Sequence, residues 1–318
     1  MCILLSTTEH PDFPFILLSN RDEYFRRPTQ PAHFRQLDHN SKVLSPLDLG
    51  RPEHGTWIGV TTTGKIAVLV NYREDHPFSE VSRGILPLAY LCSSKPDDKW
   101  HKNLEASLSH VCKGKVSLNQ IGGFSLVYGD LAIDAKTGKL DHLNILSNRG
   151  DHGHIHSTTA ADLDSDLHGD ISGRTTFGLS NSLYYEPWKK VKLGESMLHN
   201  LMKEAKQAEF SQEELVEECF RILSHDTYDK EVKKEKGFEG KLKELRNSIF
   251  IPPLETGVSP SPLVTTVGKF YGTRTQTIIL LDRFGNLNYY ERNLHSSDNL
   301  DDDASVTTSH FTFNIDQE

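Results

Sequence analysis

The run Ile66-Ala67-Val68-Leu69-Val70-Asn71 limits what this 318-residue chain can fold into more than any other stretch. As a strand it puts Ile66, Val68 and Val70 on one face and Ala67 and Leu69 on the other, so neither face suits water. Such a strand has to be covered on both sides. Trp57 to Thr61, joined to it through the Thr63-Gly64 turn, makes it the second arm of a hairpin.

Further hairpins are predicted on the same grounds. Cys2 to Thr7 and Phe15 to Ser19 flank a turn with Pro11 and Pro14. A third comprises Phe124 to Val127, Leu131 to Ile133, the Thr137-Gly138-Lys139 turn and Leu143 to Leu146. A fourth joins Thr277 to Asp282 with Leu287 to Glu291 across Phe284-Gly285-Asn286, and Phe311 to Ile315 alternates like a closing strand. Helical patterns lie between them: Ile85 to Leu91, Trp100 to Val111 with Leu104 and Leu108 in step, and Trp188 to Ala208 after Pro187. Ser211-x-x-Glu214 reads as a capping box ahead of Leu215, Val216, Cys219, Phe220 and Leu223. Antiparallel strands covered on both faces, with helices between hairpins, predict an α+β fold: a four-layer α/β/β/α sandwich of two mainly antiparallel sheets. Without an internal repeat or a linker, residues 1–318 read as a single domain, with polar surface loops at 151–173 and 296–308.

Net charge is −9, and the densest basic stretch, Lys230 to Arg246, is interleaved with Glu231, Glu235, Glu239 and Glu244. That is a solvated charged surface, not the basic stripe a phosphate backbone needs, so nucleic acid is excluded as a partner. No apolar run approaches the ~20 residues of a membrane span, and Ile3-Leu4-Leu5 is too short for a signal-peptide core. Cys2, Cys92, Cys112 and Cys219 show neither CxxC nor Cys-His spacing, so they read as free thiols in a reducing compartment. The expected location is the cytosol, or an organelle reached without a cleaved signal.

Cys2 directly follows Met1. Its small side chain favours removal of Met1, which leaves an α-amine beside the thiol. The reference pKa values, about 7.7–8.0 for the amine and about 8.5 for the thiol, let the amine act as general base for its own side chain. By itself Cys2 reads rather as a small buried residue that happens to occupy position 2. Asn20-Arg21-Asp22-Glu23 ends the second short strand, and in a hairpin it returns to the neighbourhood of Cys2. There a carboxylate can hold an ammonium and an arginine can favour a thiolate.

Met1-Cys2-Ile3-Leu4, Ser19-Asn20-Arg21-Asp22-Glu23-Tyr24, Arg27-Pro28, Gly55-Thr56-Trp57-Ile58-Gly59-Val60, Gly64-Lys65, Asn71-Tyr72-Arg73 and Ser82-Arg83-Gly84 resemble the NRDE, or transport-and-Golgi-organisation protein 2, family. The likeness continues through Gly123-Phe124, Leu146-Ser147-Asn148, Gly178-Leu179-Ser180-Asn181-Ser182 and Tyr271-Gly272-Thr273-Arg274, in order along most of the chain. It implies an N-terminal-nucleophile hydrolase fold, similar in organisation to choloylglycine hydrolases. By that likeness Cys2 is the nucleophile, Asn71 and Asn181 give oxyanion-stabilising amides, and Arg274 supports the nucleophile. Arg21 and Asp22 are expected near it, and Asn20, Glu23 and Tyr72 at the pocket. In the amidases the arginine and aspartate stand three apart; here they are adjacent, so in a regular strand they face opposite sides.

Two readings follow. One is an amide or related acyl hydrolase working through a Cys2 thioester. The other is a carrier using the same pocket without turnover, because the resemblance implies roles in Golgi organisation, secretion, lipid or acyl-CoA homeostasis and haem movement, including around mitochondria. No cofactor is required by either, and haem enters as cargo, although no cysteine precedes a proline and no Cys-x-x-Cys-His occurs. Peripheral association with an organelle fits both. A scaffold role lacks any low-complexity or coiled-coil segment. His152, His154 and His156 alternate and can share a side of an extended segment, as in a transition-metal site. They lie in a glycine-bearing inserted loop with no counterpart in the family motifs, so no metal site is assigned.

Overall fold

The two-sided apolar run finds its two covers. In the computed structural model, which describes residues 2–36, 42–74, 79–134, 136–150, 152–155, 174–235, 237–258, 266–300 and 306–315, Ile66, Val68 and Val70 face a second sheet while Ala67 and Leu69 face helices. The strands are β1 (Ile3–Thr7), β2 (Phe15–Tyr24), β3 (Thr29–Gln36), β4 (Lys42–Asp48), β5 (Ile58–Thr61), β6 (Lys65–Asn71) and β7 (Phe124–Asp130). They continue as β8 (Leu143–Ser147), β9 (His152–Ile155), β10 (Thr176–Leu179), β11 (Leu254–Glu255), β12 (Phe270–Leu281), β13 (Asn286–Asn293) and β14 (Thr307–Asn314). The helices are α1 (Ile85–Leu91), α2 (Asp97–Lys102), α3 (Leu104–Val111), α4 (Lys189–Ala208), α5 (Gln212–Leu223), α6 (Lys230–Glu235) and α7 (Phe238–Glu244).

One sheet runs β10-β1-β2-β12-β13-β14, with β11 on β12, and the other β3-β4-β5-β6-β7-β8-β9, all pairs antiparallel. Strand alternation sorts the core. Leu4, Leu17 and Ile279 meet Ile58, Val68 and Val127 between the sheets. Ile3, Leu5, Ile16, Leu18 and Ile278 pack outward on Leu198 of α4 and Leu215 and Phe220 of α5. Leu69 and Leu126 pack on Tyr90 of α1, Trp100 of α2 and Leu108 of α3. The expected α/β/β/α layer order is therefore present, each fully buried side chain contributing about 1.5–3 kcal/mol before entropy is counted.

Several boundaries differ from expectation. β2 does not stop before the Asn20–Glu23 tetrad but runs through it, because β12 pairs with it along that whole length. The helix expected over Trp100 to Val111 is two helices. Asn103 Nδ2 donates to Lys99 O at 2.8 Å, a side-chain bond that competes with helical pairing. The interleaved charge run forms α6 and α7. His152–Ile155, expected in a surface loop, pairs with β8 as an edge strand, whereas His156 and the rest of that segment lie outside the described residues.

Candidate functional site

A cavity of about 820 Å³ opens where β1 begins and β2 and β6 end, and Cys2, Arg21, Asp22, Glu23, Asn71, Tyr72 and Asn181 all line it. The β1–β2 register, with Ile3 opposite Asn20, carries Cys2 opposite Arg21. Cys2 is half-buried and packs on the core between the sheets, as alternation with Leu4 requires. Ser180 Oγ donates to Cys2 O at 2.7 Å, tying the turn after β10 to residue 2.

Arg21 and Asp22 do leave opposite faces of β2. The Arg21 guanidinium lies 4.0 Å over the Trp57 ring and donates from Nη2 to Asp48 Oδ2 at 3.0 Å, towards the other sheet. Asp22 turns towards the helices: Oδ1 accepts from Thr273 Oγ1 at 2.8 Å, and Oδ2 lies 3.8 Å from Lys190 Nζ of α4. Both still reach the cavity, because it wraps around the start of β1 and touches both faces of β2. The register shift lies on β12, between Thr273 and Thr275, and Arg274 is the extra residue.

Asn71 ends β6, and the Asn181 amide Nδ2 donates to its carbonyl oxygen. Arg73 N donates to Asn181 O at 2.9 Å, so the two expected asparagines are stitched together at the cavity wall. Tyr72 N donates to Gly123 O at 2.9 Å, and the residue lines the cavity. Glu23 lies 3.7 Å from Arg21 and 3.6 Å from Arg27.

Two expected site residues stand elsewhere. Asn20 is fully buried on the helix side of β2, where Nδ2 donates to Leu223 O at 2.8 Å and Ile249 O at 3.0 Å. It anchors the sheet to its helices and does not line the cavity. Arg274 also stays off the wall. Nε donates to His295 O at 3.0 Å and Nη1 to Arg27 O, clamping the turn that presents Arg27. Burial, then the neighbouring Arg21 charge, brings the Arg274 guanidinium down to about 10.

Other members were missed. Asp48 accepts from Arg21 and, at 2.8 Å, from Arg27 Nε, and its carboxyl is lowered: burial raises it, but Arg21 and Arg27 outweigh that. Arg83 lines the cavity and donates to Gly123 O at 3.1 Å; burial lowers its guanidinium. Phe238 and Leu242 of α7 close another side. Lys190 is fully buried behind Asp22. It had a signal: positions 190, 194, 198 and 202 form one helical stripe, so the lysine sits on the buried face of α4. Among the described residues no group of His, Cys, Asp and Glu is arranged to hold a metal ion, and no helix is long and apolar enough to cross a membrane.

A family model described as Transport and Golgi organisation 2 matches residues 1–296. An uncharacterised protein of Saccharomyces cerevisiae is 30% identical over 328 aligned residues, covering 97% of this chain and 96% of that protein. The Transport and Golgi organization protein 2 homolog of Bos taurus is 28% identical over 288, covering 90% and 88%. A conjugated bile acid hydrolase from Clostridium perfringens aligns over 99% of this chain and 98% of its own, with 11% identity and a TM-score of 0.36.

Proposed function

Because the chain belongs to the Transport and Golgi organisation 2 family, we propose that its cavity is an acyl-transfer site in which Cys2, freed of Met1, attacks an amide or related acyl bond. The observation that carries this reading is the meeting of Cys2, Asn71 and Asn181 at one cavity wall, with Ser180 fixing the Cys2 carbonyl.

The α-amine of Cys2 takes the thiol proton as Sγ adds to the acyl carbon. The oxyanion accepts from the Asn181 N–H not already given to Asn71, a donor of a kind worth roughly 2.7–4 kcal/mol. Collapse breaks the C–N bond, the leaving nitrogen takes the proton back from the ammonium, and a thioester remains on Cys2. Water, deprotonated by the same amine, releases the acid and restores the thiol. Arg21 is held by Asp48 and Trp57 as a fixed cation beside the nucleophile.

A carrier reading has one observation in its favour: the Asn181 amide already spends a donor on Asn71. In it, an acyl lipid or haem occupies the cavity without turnover, in a cytoplasmic protein acting at the Golgi or mitochondrial surface. The test is a panel of N-acyl amides and acyl thioesters with wild type and Cys2→Ala. Hydrolysis falling by about 10³-fold or more in the variant supports the hydrolase. Saturable binding of haem or an acyl-CoA, unchanged by Cys2→Ala and without hydrolysis, supports the carrier.

A further inference from the structure

We propose that Lys190 is a positioning residue for Cys2: its buried ammonium neutralises Asp22 and keeps the amine of residue 2 in its basic form. This rests on the thiol-nucleophile reading and deepens it.

Lys190 and Asp22 have fully buried side chains, with Nζ 3.8 Å from Oδ2. Thr273 Oγ1 holds the other carboxylate oxygen, and its own oxygen accepts from Ile251 N at 2.8 Å. Asp22 is thus fixed from β12 on one side and α4 on the other. Asp22 and Cys2 line the same cavity, and an anion near a new α-amine favours the ammonium, which cannot accept the thiol proton. A cation placed behind that anion cancels the preference and favours a thiolate in front of it. Burial pulls the Lys190 ammonium down, and Asp22, then a negative charge on Cys2, push it back up.

Other charged groups face this pair from the elements around it. On β2, Arg21 is paired with Asp48 of β4, and Glu23 lies beside Arg21 and Arg27. Tyr271 of β12, buried, is pushed well above the usual phenol value by burial. Before α1, burial lowers the Arg83 guanidinium. Arg73 and Glu74 after β6, and Glu239 and Lys243 on α7, line the outer cavity. Arg246 stands over the Trp188 ring, 5.3 Å away.

The test measures the rate of Cys2 alkylation by iodoacetamide against pH, located by peptide mass mapping, in wild type, Lys190→Met and Lys190→Arg. The expected result is a midpoint raised by about one pH unit in Lys190→Met, a roughly tenfold slower reaction at pH 6, with recovery in Lys190→Arg. A folded Lys190→Met with the wild-type profile overturns the inference and leaves the thiol reading intact. Absence of wild-type labelling at Cys2 overturns both. Wild-type protein gives a second readout that no folding defect can obscure. The lysine 13Cε resonance of Lys190 is expected to titrate at lower pH once Cys2 is capped, since coupling is reciprocal. A titration unmoved by capping overturns the inference.

Discussion

Asp48 shows what a single side chain does here. It receives Arg21 at 3.0 Å and Arg27 at 2.8 Å, and Gly50 N at 2.9 Å, so one carboxylate holds two cavity arginines in place. Asp48→Asn is expected to lose about 2–4 kcal/mol in urea unfolding at pH 7, because it takes from the buried Arg21 and part-buried Arg27 guanidinium groups the anion that both donate to. The pH dependence follows from the direction of its shift. A carboxyl lowered by folding contributes fully above its unfolded value of 3.8, and loses that contribution as pH falls through the folded value. The difference between wild type and variant is therefore expected to shrink in acid; a difference constant down to pH 2 contradicts the assignment. Asp48 was not legible in the sequence, because nothing near Ser45-Pro46-Leu47-Asp48 marks it as facing Arg21 from the other sheet. Cys2 and the Arg21–Asp22 pair were legible from the hairpin that returns the tetrad to residue 2, whereas Asn71 and Asn181 were pointed out only by the family resemblance.

At the scale of elements, β2 is held from both sides, and the tetrad it carries is divided between them. Asn20 donates to two helix-side carbonyls, so Asn20→Ala is expected to cost about 2–3 kcal/mol in thermal or urea unfolding while Cys2 alkylation keeps its pH profile. A shifted profile at unchanged stability contradicts the structural role given to Asn20. Strand alternation alone separates Asn20 and Asp22 from Arg21 and Glu23. It does not show that the cavity wraps around β1 and collects residues from both faces, which depends on how the sheets end. The loop that brings Arg83 to the cavity depends on Gly55, where an added Cβ would stand 2.5 Å from the Gly84 carbonyl carbon. Backbone cannot yield there, so Gly55→Ala is expected to lose at least about 3 kcal/mol, checked by urea unfolding. The capping box at Ser211 and Glu214 was read directly from its spacing and is present.

Across the whole molecule, the four layers follow from one hairpin arm that has no polar face. β3 and β4 escaped notice because Pro31 and mixed polarity hide the alternation, and β3 carries a register shift. They place Ala32 N against Glu291 Oε1 of β13 at 2.8 Å, a polar contact that crosses the two sheets. Glu291 is fully buried, and burial raises its carboxyl despite the Ala32 bond. A carboxyl raised by folding contributes fully below its unfolded value of 4.5, and that contribution is lost as pH rises through the folded one. Glu291→Gln keeps an acceptor for Ala32 without the charge, so its melting temperature is expected to fall less than that of wild type between pH 5 and 8. A steeper fall contradicts this. The proposed chemistry itself has a more direct test. Protein purified after expression from an intact reading frame is treated with an electrophilic acyl probe, and its N-terminal peptide is sequenced by mass spectrometry. The expected result is a peptide that begins at Cys2 and carries the adduct on that residue; a retained Met1, or adducts on Cys92 or Cys112 with Cys2 unmodified, would contradict it.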